Sequence, residues 1–323
     1  MAEKELVDFL KDLNKSMGGE KANRVKEIGV VKIERNPIGV VSLDNAIGGG
    51  FPKGRIIELY GRESSGKTTL ALLSIAESQR NGGVCAFVDV EQALDFEYAS
   101  FLGVDVDELV VSQPDNGEEA LEITDRLVGS GLFSIVVFDS VAAIVPKAEL
   151  EGEMGDQKMG VVARLMAQAM RKLTGKTNKT GTSLVFINQV RDKLGIVFGN
   201  PEVTTGGKSL AFAASIRIEV SKGSQLKEGE IIIGHLIKIK VVKNKVSPPF
   251  KKAEVENIFG LGIDKIKDLL QVASSLNIIQ KSGSWYAYGD TKLGQGLDKV
   301  KIVMADNPEL YEEVKEKTLN FKN

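Results

Sequence analysis

The sequence has few of the residues that build disulfides and classical metal sites. Its 323 residues include one cysteine, Cys85, and one histidine, His235. A single cysteine excludes an intramolecular disulfide and any cysteine-based metal cluster, and a single histidine argues against a classical zinc site. Both residues lie in apolar runs. We therefore interpret Cys85 as an inert core thiol and His235 as a structural strand residue.

Long hydrophobic runs and a strong charge imbalance are also missing. No apolar run is long enough to span a bilayer, and the first residues do not resemble a signal peptide, so we expect a cytoplasmic protein without a membrane partner. The net charge of −2 excludes a surface that is basic throughout. It leaves room for a local basic groove that binds nucleic acid.

The most informative stretch is Gly61–Thr69, which reads GRESSGKTT and fits the P-loop pattern G-x-x-x-x-G-K-[ST]. An apolar run at 56–60 predicts a buried strand before it, and apolar residues at helical spacing predict a helix over 68–80. Backbone N–H groups of such a loop bind a polyphosphate. Lys67 would neutralise the β- and γ-phosphates, and Thr68 would offer its hydroxyl to Mg²⁺. The predicted nucleotide-binding residues of the loop are Gly61, Glu63, Ser64, Ser65, Gly66, Lys67, Thr68 and Thr69.

Strand and helix patterns alternate through the middle of the chain. Strands are predicted at 56–60, 84–89, 134–138 and 182–187, and helices at 68–80, about 92–102, 117–129 and 158–174. This alternation predicts an α/β fold with a mostly parallel central sheet flanked by helices. Strand-like runs at 210–220 and 231–242 would extend that sheet.

Three domains are predicted. Residues 1–35 combine an amphipathic helix over 3–16 with a polar linker; from its residues alone, that helix packs equally well on its own chain or on another subunit. Residues 36–257 form the core. Residues 258–323 form a small α+β module, with helices at 263–276, 297–305 and 309–318 and a short strand around Trp285.

Polar side chains follow the predicted strands where ligands bind in open parallel sheets. Asp139 closes an apolar strand in the manner of a Walker-B carboxylate, so we predict that it holds Mg²⁺. Glu91, one strand over, would polarise a water for attack on the γ-phosphoryl group. Gln189 would hydrogen-bond the γ-phosphate or that water, and so respond to whether the triphosphate is intact. Glu91, Lys67 and Gln189 are the predicted catalytic residues.

Several further strings carry a specific resemblance when they are taken together in chain order. They are EQALD at 91–95, DSVAA at 139–143, FINQVR at 186–191, FGNPE at 198–202, TTGG at 204–207 and VVKNK at 241–245. With the P-loop, these blocks resemble the family of bacterial RecA recombinases from about residue 36 to 304.

The resemblance implies an ATP-dependent DNA recombinase. Such a protein forms helical filaments on single-stranded DNA, pairs it with homologous duplex DNA, exchanges strands, and activates the self-cleavage of a LexA-type repressor in the SOS response. It implies ATP and Mg²⁺ as cofactors, Asp95 and Tyr98 at the adenine, and Lys243 and Lys245 reaching the γ-phosphate of the adjacent protomer. It also favours an oligomerisation role for the helix at 3–16.

Two DNA-binding loops are implied, at about 151–159 and 190–208. The second is long, glycine-rich and aperiodic, which is typical of functional loops, and apolar residues within it could wedge between bases. The DNA-binding residues carried over are Met159, Arg164, Arg171, Lys172, Arg191, Val197, Phe198, Gly206, Gly207 and Lys208.

Other functions fit parts of the sequence. A nucleotide kinase would need an arginine-rich lid, and a ring helicase would carry an arginine finger instead of the Lys243-Asn244-Lys245 string. A non-catalytic, ATP-gated DNA scaffold would not need Glu91. The sequence also departs from the family at Gln92, where histidine is usual, and at Arg62, where proline is common.

Overall fold

A computed structural model describes residues 2–19, 22–23, 33–152, 160–192 and 202–321. The chain divides into two compact units, residues 1–34 and 35–323, and each is described by itself. In the first unit, helix α1 (Ala2–Ser16) has acidic residues in its first turn and Lys15 in its last, which suits the helix dipole. Its apolar side chains Leu6 and Phe9 are 44% and 60% exposed.

The second unit contains the remaining helices. Their bounds are α2 (Val41–Ile47), α3 (Lys67–Arg80), α4 (Phe96–Phe101), α5 (Gly117–Ser130), α6 (Lys147–Leu150), α7 (Val161–Thr180), α8 (Ser209–Ala213), α9 (Lys265–Ser275), α10 (Leu297–Asp306) and α11 (Pro308–Leu319), with a 3₁₀ turn at Val141–Ala143. None of the helices within the described ranges is long and apolar enough to cross a membrane.

The strands of this unit fall into three sheets. Their bounds are β1 (Arg35–Asn36), β2 (Phe51–Pro52), β3 (Ile56–Gly61), β4 (Cys85–Asp89), β5 (Val110–Ser112), β6 (Ile135–Asp139), β7 (Ser183–Asp192), β8 (Glu202–Thr204), β9 (Ile216–Glu228), β10 (Ile231–Asn244), β11 (Lys252–Ile258), β12 (Gly262–Ile263), β13 (Gln280–Ser282), β14 (Trp285–Tyr288) and β15 (Thr291–Gln295).

The central sheet confirms the predicted mostly parallel α/β core. Its strand order is β12-β11-β10-β9-β3-β7-β6-β4-β5, with β8 paired to the end of β7. Strands β9, β3, β7, β6, β4 and β5 are parallel, and β10 to β12 add an antiparallel extension. Since β3, β7, β6 and β4 are parallel neighbours, their carboxyl ends meet at one edge of the sheet.

Alternation along the strands divides the buried apolar residues between the two faces of the sheet. Ile57 and Val137 belong to a cluster that includes residues of α3, whereas Val136 and Phe138 belong to a second cluster with residues of α5 and α7. Strands buried on both faces read as continuous apolar runs, as β6 does. A third cluster lies mainly in residues 269–314 and around the small β13-β14-β15 sheet.

Three predicted elements differ from the structure. The run at 210–220 was expected to be a strand, but its first residues belong to the short helix α8, and the strand begins at Ile216. The helix expected from about 92 begins only at Phe96, because Asp89 binds the N–H groups of Ala93 and Leu94 and Asp95 caps the helix.

Helix α7 continues six residues beyond the predicted end at 174. Threonines and a glycine in that stretch lower its helix propensity, which is why the prediction stopped early. In the structure the side chain of Thr177 is buried, and its hydroxyl donates to the carbonyl of Thr174. The helix ends at Gly181, whose φ of 78° is left-handed. The predicted domain boundaries stay predictions.

Candidate nucleotide and DNA site

The loop between β3 and α3 is shaped by glycine. Gly66, the residue before the helix, has a φ of 96°, and a Cβ added there would lie 2.3 Å from Cδ1 of Ile237. Only glycine combines this backbone conformation with so close an approach. The N–H groups at the start of the 14-residue helix α3 therefore remain free to face an anion.

Lys67 lies at the centre of the loop. Its side chain is largely buried, and Nζ donates to the carbonyls of Arg62 at 2.8 Å and Gly61 at 3.2 Å. Burial lowers the pKa of Lys67, whereas the charges of Asp139 and Glu91 act to raise it. A cation held in the loop in this way can neutralise phosphate oxygens.

Thr68 and Asp139 form a small oxygen-rich contact. The Thr68 hydroxyl donates to Oδ2 of Asp139 at 2.8 Å, which links the start of α3 to the end of β6. Burial raises the pKa of Asp139 to about 7, and the nearby charge of Glu91 acts in the same direction. Magnesium is usually bound by one or two carboxylates together with substrate phosphates and water, so this pair fits Mg²⁺. Among the described residues, no group of three or more His, Cys, Asp or Glu could hold a metal alone.

The pKa of Asp139 leads to a prediction for magnesium binding. The protonated carboxyl group is a poor Mg²⁺ ligand, so Mg²⁺-dependent ADP binding should weaken by up to about tenfold per pH unit below about pH 7. Titration calorimetry at pH 8, 7 and 6 measures this slope. The phosphates of ADP titrate in the same range, so Asp139→Asn is the control. Equal slopes in both proteins would contradict the assignment of this titration to Asp139.

Glu91 and Gln189 are in direct contact. Gln189 Nε2 donates to Oε1 of Glu91 at 3.2 Å, and the hydroxyl of Ser140 donates to the same oxygen. These bonds orient one carboxylate oxygen and leave Oε2 available to a water. The predicted water-activating residue thus touches the strand, β7, that leads into residues 193–201.

Tyr98 contacts the P-loop helix. Its hydroxyl lies 3.1 Å from Oγ1 of Thr69, and Asp95 caps α4 by accepting from the N–H of Tyr98 at 2.9 Å. The other predicted loop residues differ in exposure. Glu63 and Ser64 are exposed, and Ser65 is buried. Ser64 adopts a left-handed φ of 52°, as part of the loop's tight path.

Arg62 connects the P-loop to the last residue pair of the β7–β8 ladder. Its Nε donates to Glu202 at 2.8 Å and its Nη2 to Asp192 at 3.2 Å. Asp192 and Glu202 are the outermost paired residues of that ladder. The arginine that replaces the usual proline therefore makes contacts a proline could not make, although each ion pair is exposed to solvent and individually weak.

Some predicted DNA-binding residues converge and others do not. A Cβ on Gly206 would lie 3.3 Å from Met166, and one on Gly207 would lie 3.0 Å from Ala163, so both glycines lie against the start of α7 near Arg164. Arg191 and Lys208 are exposed beside this region. The side chains of Met159, Val197 and Phe198 lie outside the described residues.

Arg171 and Lys172 lie about two turns further along α7, away from this convergence. Lys172 lines a cavity of about 220 Å³ that also contains Glu118, Glu122 and Asp125. These carboxylates repel phosphate, so the predicted DNA contact of Lys172 has less support than that of Arg164.

Lys243 and Lys245 lie apart from the P-loop of their own chain. Lys243 Nζ donates to the carbonyls of Ala211 at 2.7 Å and Phe212 at 3.0 Å, and Lys245 Nζ donates to Phe212. Burial lowers the pKa of Lys243 to about 8, and the charge of Lys245 acts in the same direction. Neither lysine lines the cavity beside residues 64–69.

Two positioning residues were not predicted. Ser140 holds Glu91, as described above. Asn188 is fully buried; its Nδ2 donates to Glu58 at 3.0 Å, and its Oδ1 accepts from the Thr205 hydroxyl at 2.5 Å. Asn188 thereby joins the end of β7 to the glycine segment at 204–207. The sequence signal that could have identified Asn188 is its position as an amide residue directly after an apolar strand.

Comparisons with known proteins place the chain in a family. The family model of the RecA N-terminal domain matches residues 4–264, and that of the RecA C-terminal domain matches residues 267–321. The chain is 54% identical to Protein RecA of Bacteroides thetaiotaomicron over 96% of this chain and 94% of that protein. It is 52% identical to Protein RecA of Clostridioides difficile over 99% and 92%, respectively.

A solved structure shares the fold. The crystal structure of the RadB recombinase superposes with a TM-score of 0.53 at 22% identity, covering 71% of this chain and 98% of the other. At that identity the likeness concerns the fold alone.

Proposed function

This chain belongs to the RecA family, and we propose that it is an ATP-dependent DNA recombinase that assembles on single-stranded DNA, pairs it with homologous duplex DNA and exchanges strands. The observation that carries this proposal is the bond between Gln189 and Glu91. Through it, the carboxylate beside the phosphate loop contacts the strand that leads into the second predicted DNA segment. A nucleotide kinase does not require a contact between its catalytic carboxylate and a DNA-binding segment.

In this mechanism the chain's own groups divide the work of hydrolysis. The loop N–H groups and Lys67 bind the phosphates, and Glu91 accepts a proton from the attacking water. Thr68 and Asp139 would hold Mg²⁺, which neutralises phosphate charge when it is bound. Gln189 would report the intact γ-phosphate to residues 190–208, and Asn188 would hold the end of β7 against Thr205.

Self-assembly is part of the proposal. Lys243 and Lys245 hydrogen-bond carbonyls of residues 211 and 212 and do not line the P-loop cavity of their own chain. If they contact a γ-phosphate, that phosphate belongs to a neighbouring copy. The exposed apolar residues Leu6 and Phe9 of α1 give a second surface suited to such a neighbour. A filament would thus couple ATP binding to the spacing between subunits.

Further roles follow from the proposed family function. The filament would activate the self-cleavage of a LexA-type repressor, and the protein would act in the cytoplasm. The C-terminal residues would gather duplex DNA. Lys299 is exposed on α10 and available for this purpose, whereas Lys301 already forms an ion pair with Asp264.

The test is ATP hydrolysis measured with and without single-stranded DNA across a salt series. We expect DNA to stimulate hydrolysis and the stimulation to fade with salt, because the DNA-binding constant should fall with a log–log slope of roughly −0.7 per phosphate neutralised. Strand exchange between a circular single strand and a homologous linear duplex tests the second half of the proposal. Hydrolysis that is indifferent to DNA at every salt concentration would contradict it.

A further inference from the structure

A line of polar side chains crosses one face of the central sheet, over the neighbouring strands β7, β3, β9 and β10. Glu58 on β3 is the register partner of Arg217 on β9, and Arg217 is in turn the partner of Lys243 on β10. Asn188 on β7 pairs with Tyr60, two residues beyond Glu58 on β3. Direct partners, and residues two apart on a strand, point to the same side of a sheet. These five side chains therefore share one face.

Glu58 is the centre of this line, and its two carboxylate oxygens have different partners. The residue is fully buried. Oε1 accepts from Nδ2 of Asn188 at 3.0 Å, and Oε2 accepts from Nε of Arg217 at 2.6 Å. A buried carboxylate is stable only while its charge is balanced and its oxygens are hydrogen-bonded. Neither partner can therefore move away unless Glu58 follows it.

On the β7 side, the line reaches the glycine segment at 204–207. Oδ1 of Asn188 accepts from the Thr205 hydroxyl at 2.5 Å, and Nδ2 also donates to the Thr205 carbonyl at 3.2 Å. Two bonds thus join one amide to one residue of the second proposed DNA-binding segment. A displacement of Thr205 would act directly on the amide that holds Glu58.

On the β10 side, the line reaches Lys243. The guanidinium carbon of Arg217 lies 4.6 Å from the centroid of the Tyr60 ring, and this cation–π contact and the bond to Glu58 together orient Arg217. Burial is the main cause of the lowered pKa of Lys243; the charge of Arg217 lowers this pKa further, whereas the charge of Glu58 acts to raise it. Glu58 therefore offsets the repulsion between two neighbouring cations and allows them to lie side by side.

We propose that Glu58 is a positioning residue that connects the second DNA-binding segment to Lys243. The inference rests on the proposed function, which assigns Lys243 to the γ-phosphate of a neighbouring copy. When DNA displaces Thr205, Asn188 and Glu58 move with it, and Arg217 shifts beside Lys243.

This connection is separate from the bond between Gln189 and Glu91, which concerns the nucleotide of the same chain. Neither Glu58 nor Arg217 lines the cavity beside residues 64–69. Glu58 therefore acts through the lysine that faces away from its own P-loop, and its loss should leave nucleotide binding by that loop intact.

The first test replaces the ion pair by apolar side chains. Buried ion pairs often tolerate such replacement without loss of stability, and in Glu58→Leu/Arg217→Met the new sulfur can still contact the ring of Tyr60. Calorimetry without DNA should show Mg·ADP binding within about twofold of the unmodified protein. Stimulation of ATP hydrolysis by single-stranded DNA should fall at least about tenfold, a usual size for coupling between two sites. Glu256→Leu/Lys267→Met, which removes the 2.7 Å ion pair between β11 and α9, is the matched control and should leave the stimulation unchanged.

A second pair of substitutions tests the connection without removing Glu58. Thr205→Val removes the hydroxyl that donates to Asn188, and Arg217→Lys keeps a positive charge but replaces the planar guanidinium that lies over Tyr60. Each should reduce DNA stimulation about 3- to 10-fold, the value of about one hydrogen bond. Because the two act on one connection in series, both together should reduce it no more than the larger single effect.

Two results would overturn the inference. One is normal DNA stimulation in the apolar double variant, and the other is a combined effect of Thr205→Val and Arg217→Lys that equals the product of the single effects. If the apolar variant loses ADP binding together with stimulation, the second pair of substitutions decides. If DNA does not stimulate hydrolysis by the unmodified protein, the proposed function itself fails, and this result is distinct from the others.

Discussion

Replacing Lys67 with alanine should reduce ATP turnover by at least about 100-fold, the typical cost of removing a group that stabilises charge in a transition state. The Nζ atom of Lys67 is the only side-chain cation among the residues that line the cavity beside the P-loop in the described chain. It is already held inside the loop by the carbonyls of Gly61 and Arg62. Its loss removes that cation and leaves the backbone N–H groups and Mg²⁺ to bind the phosphates in this cavity.

The measurement is steady-state ATP hydrolysis at saturating single-stranded DNA, combined with light scattering to follow nucleotide-dependent assembly. Assembly should be lost together with turnover, since both depend on a bound triphosphate. Lys179→Ala is the matched control, because Lys179 is an exposed lysine in the last turn of α7. Normal ATP-dependent filaments from Lys67→Ala would contradict the phosphate-binding role.

Replacing Glu91 with glutamine should reduce turnover by about 10²- to 10⁴-fold, the usual contribution of a general base, while ATP and DNA binding change little. Glutamine keeps the shape of the side chain and an oxygen that can accept from Ser140 and Gln189. It cannot take a proton from water. The variant should therefore form stable filaments with ATP that hydrolyse it slowly.

Single-turnover hydrolysis and nucleotide binding, measured on the same preparation, separate these effects. Glu108→Gln, at an exposed position in the chain between α4 and β5, controls for the loss of one negative charge. Unchanged turnover in Glu91→Gln would remove Glu91 from the water-activating role. It would favour the alternative function, a DNA-binding scaffold that is controlled by ATP binding and does not need ATP hydrolysis.

Local patterns predicted elements well where packing and propensity agree. The apolar run at 135–138, within the predicted strand at 134–138, forms part of a fully buried strand because both of its faces are covered. The local patterns gave wrong predictions where side-chain hydrogen bonds or packing opposed the intrinsic secondary-structure propensity. Residues 209–213 are apolar enough for a strand but form the short helix α8, in which Leu210 is buried. The threonine-rich end of α7 stays helical because Thr177 is buried, and no local pattern shows that.

The sequence alone predicted a nucleotide site, because the P-loop and the carboxylate after an apolar strand are local signals that depend on where strands and helices begin. It also specified the family, through blocks in a fixed order. Tertiary structure decided which distant residues meet. Asn188 joins Thr205, Arg62 reaches Asp192, and His235 faces the phosphate loop.

The physical reason is that these contacts depend on strand order and register. His235 and Asn257 are 22 positions apart, and they oppose each other because β10 and β11 pair in one particular register. A shift of β11 by a single residue would turn Asn257 to the other face of the sheet, away from His235. Periodicity could show that His235 lies in a strand, but only the folded sheet could show which cavity its nitrogen faces.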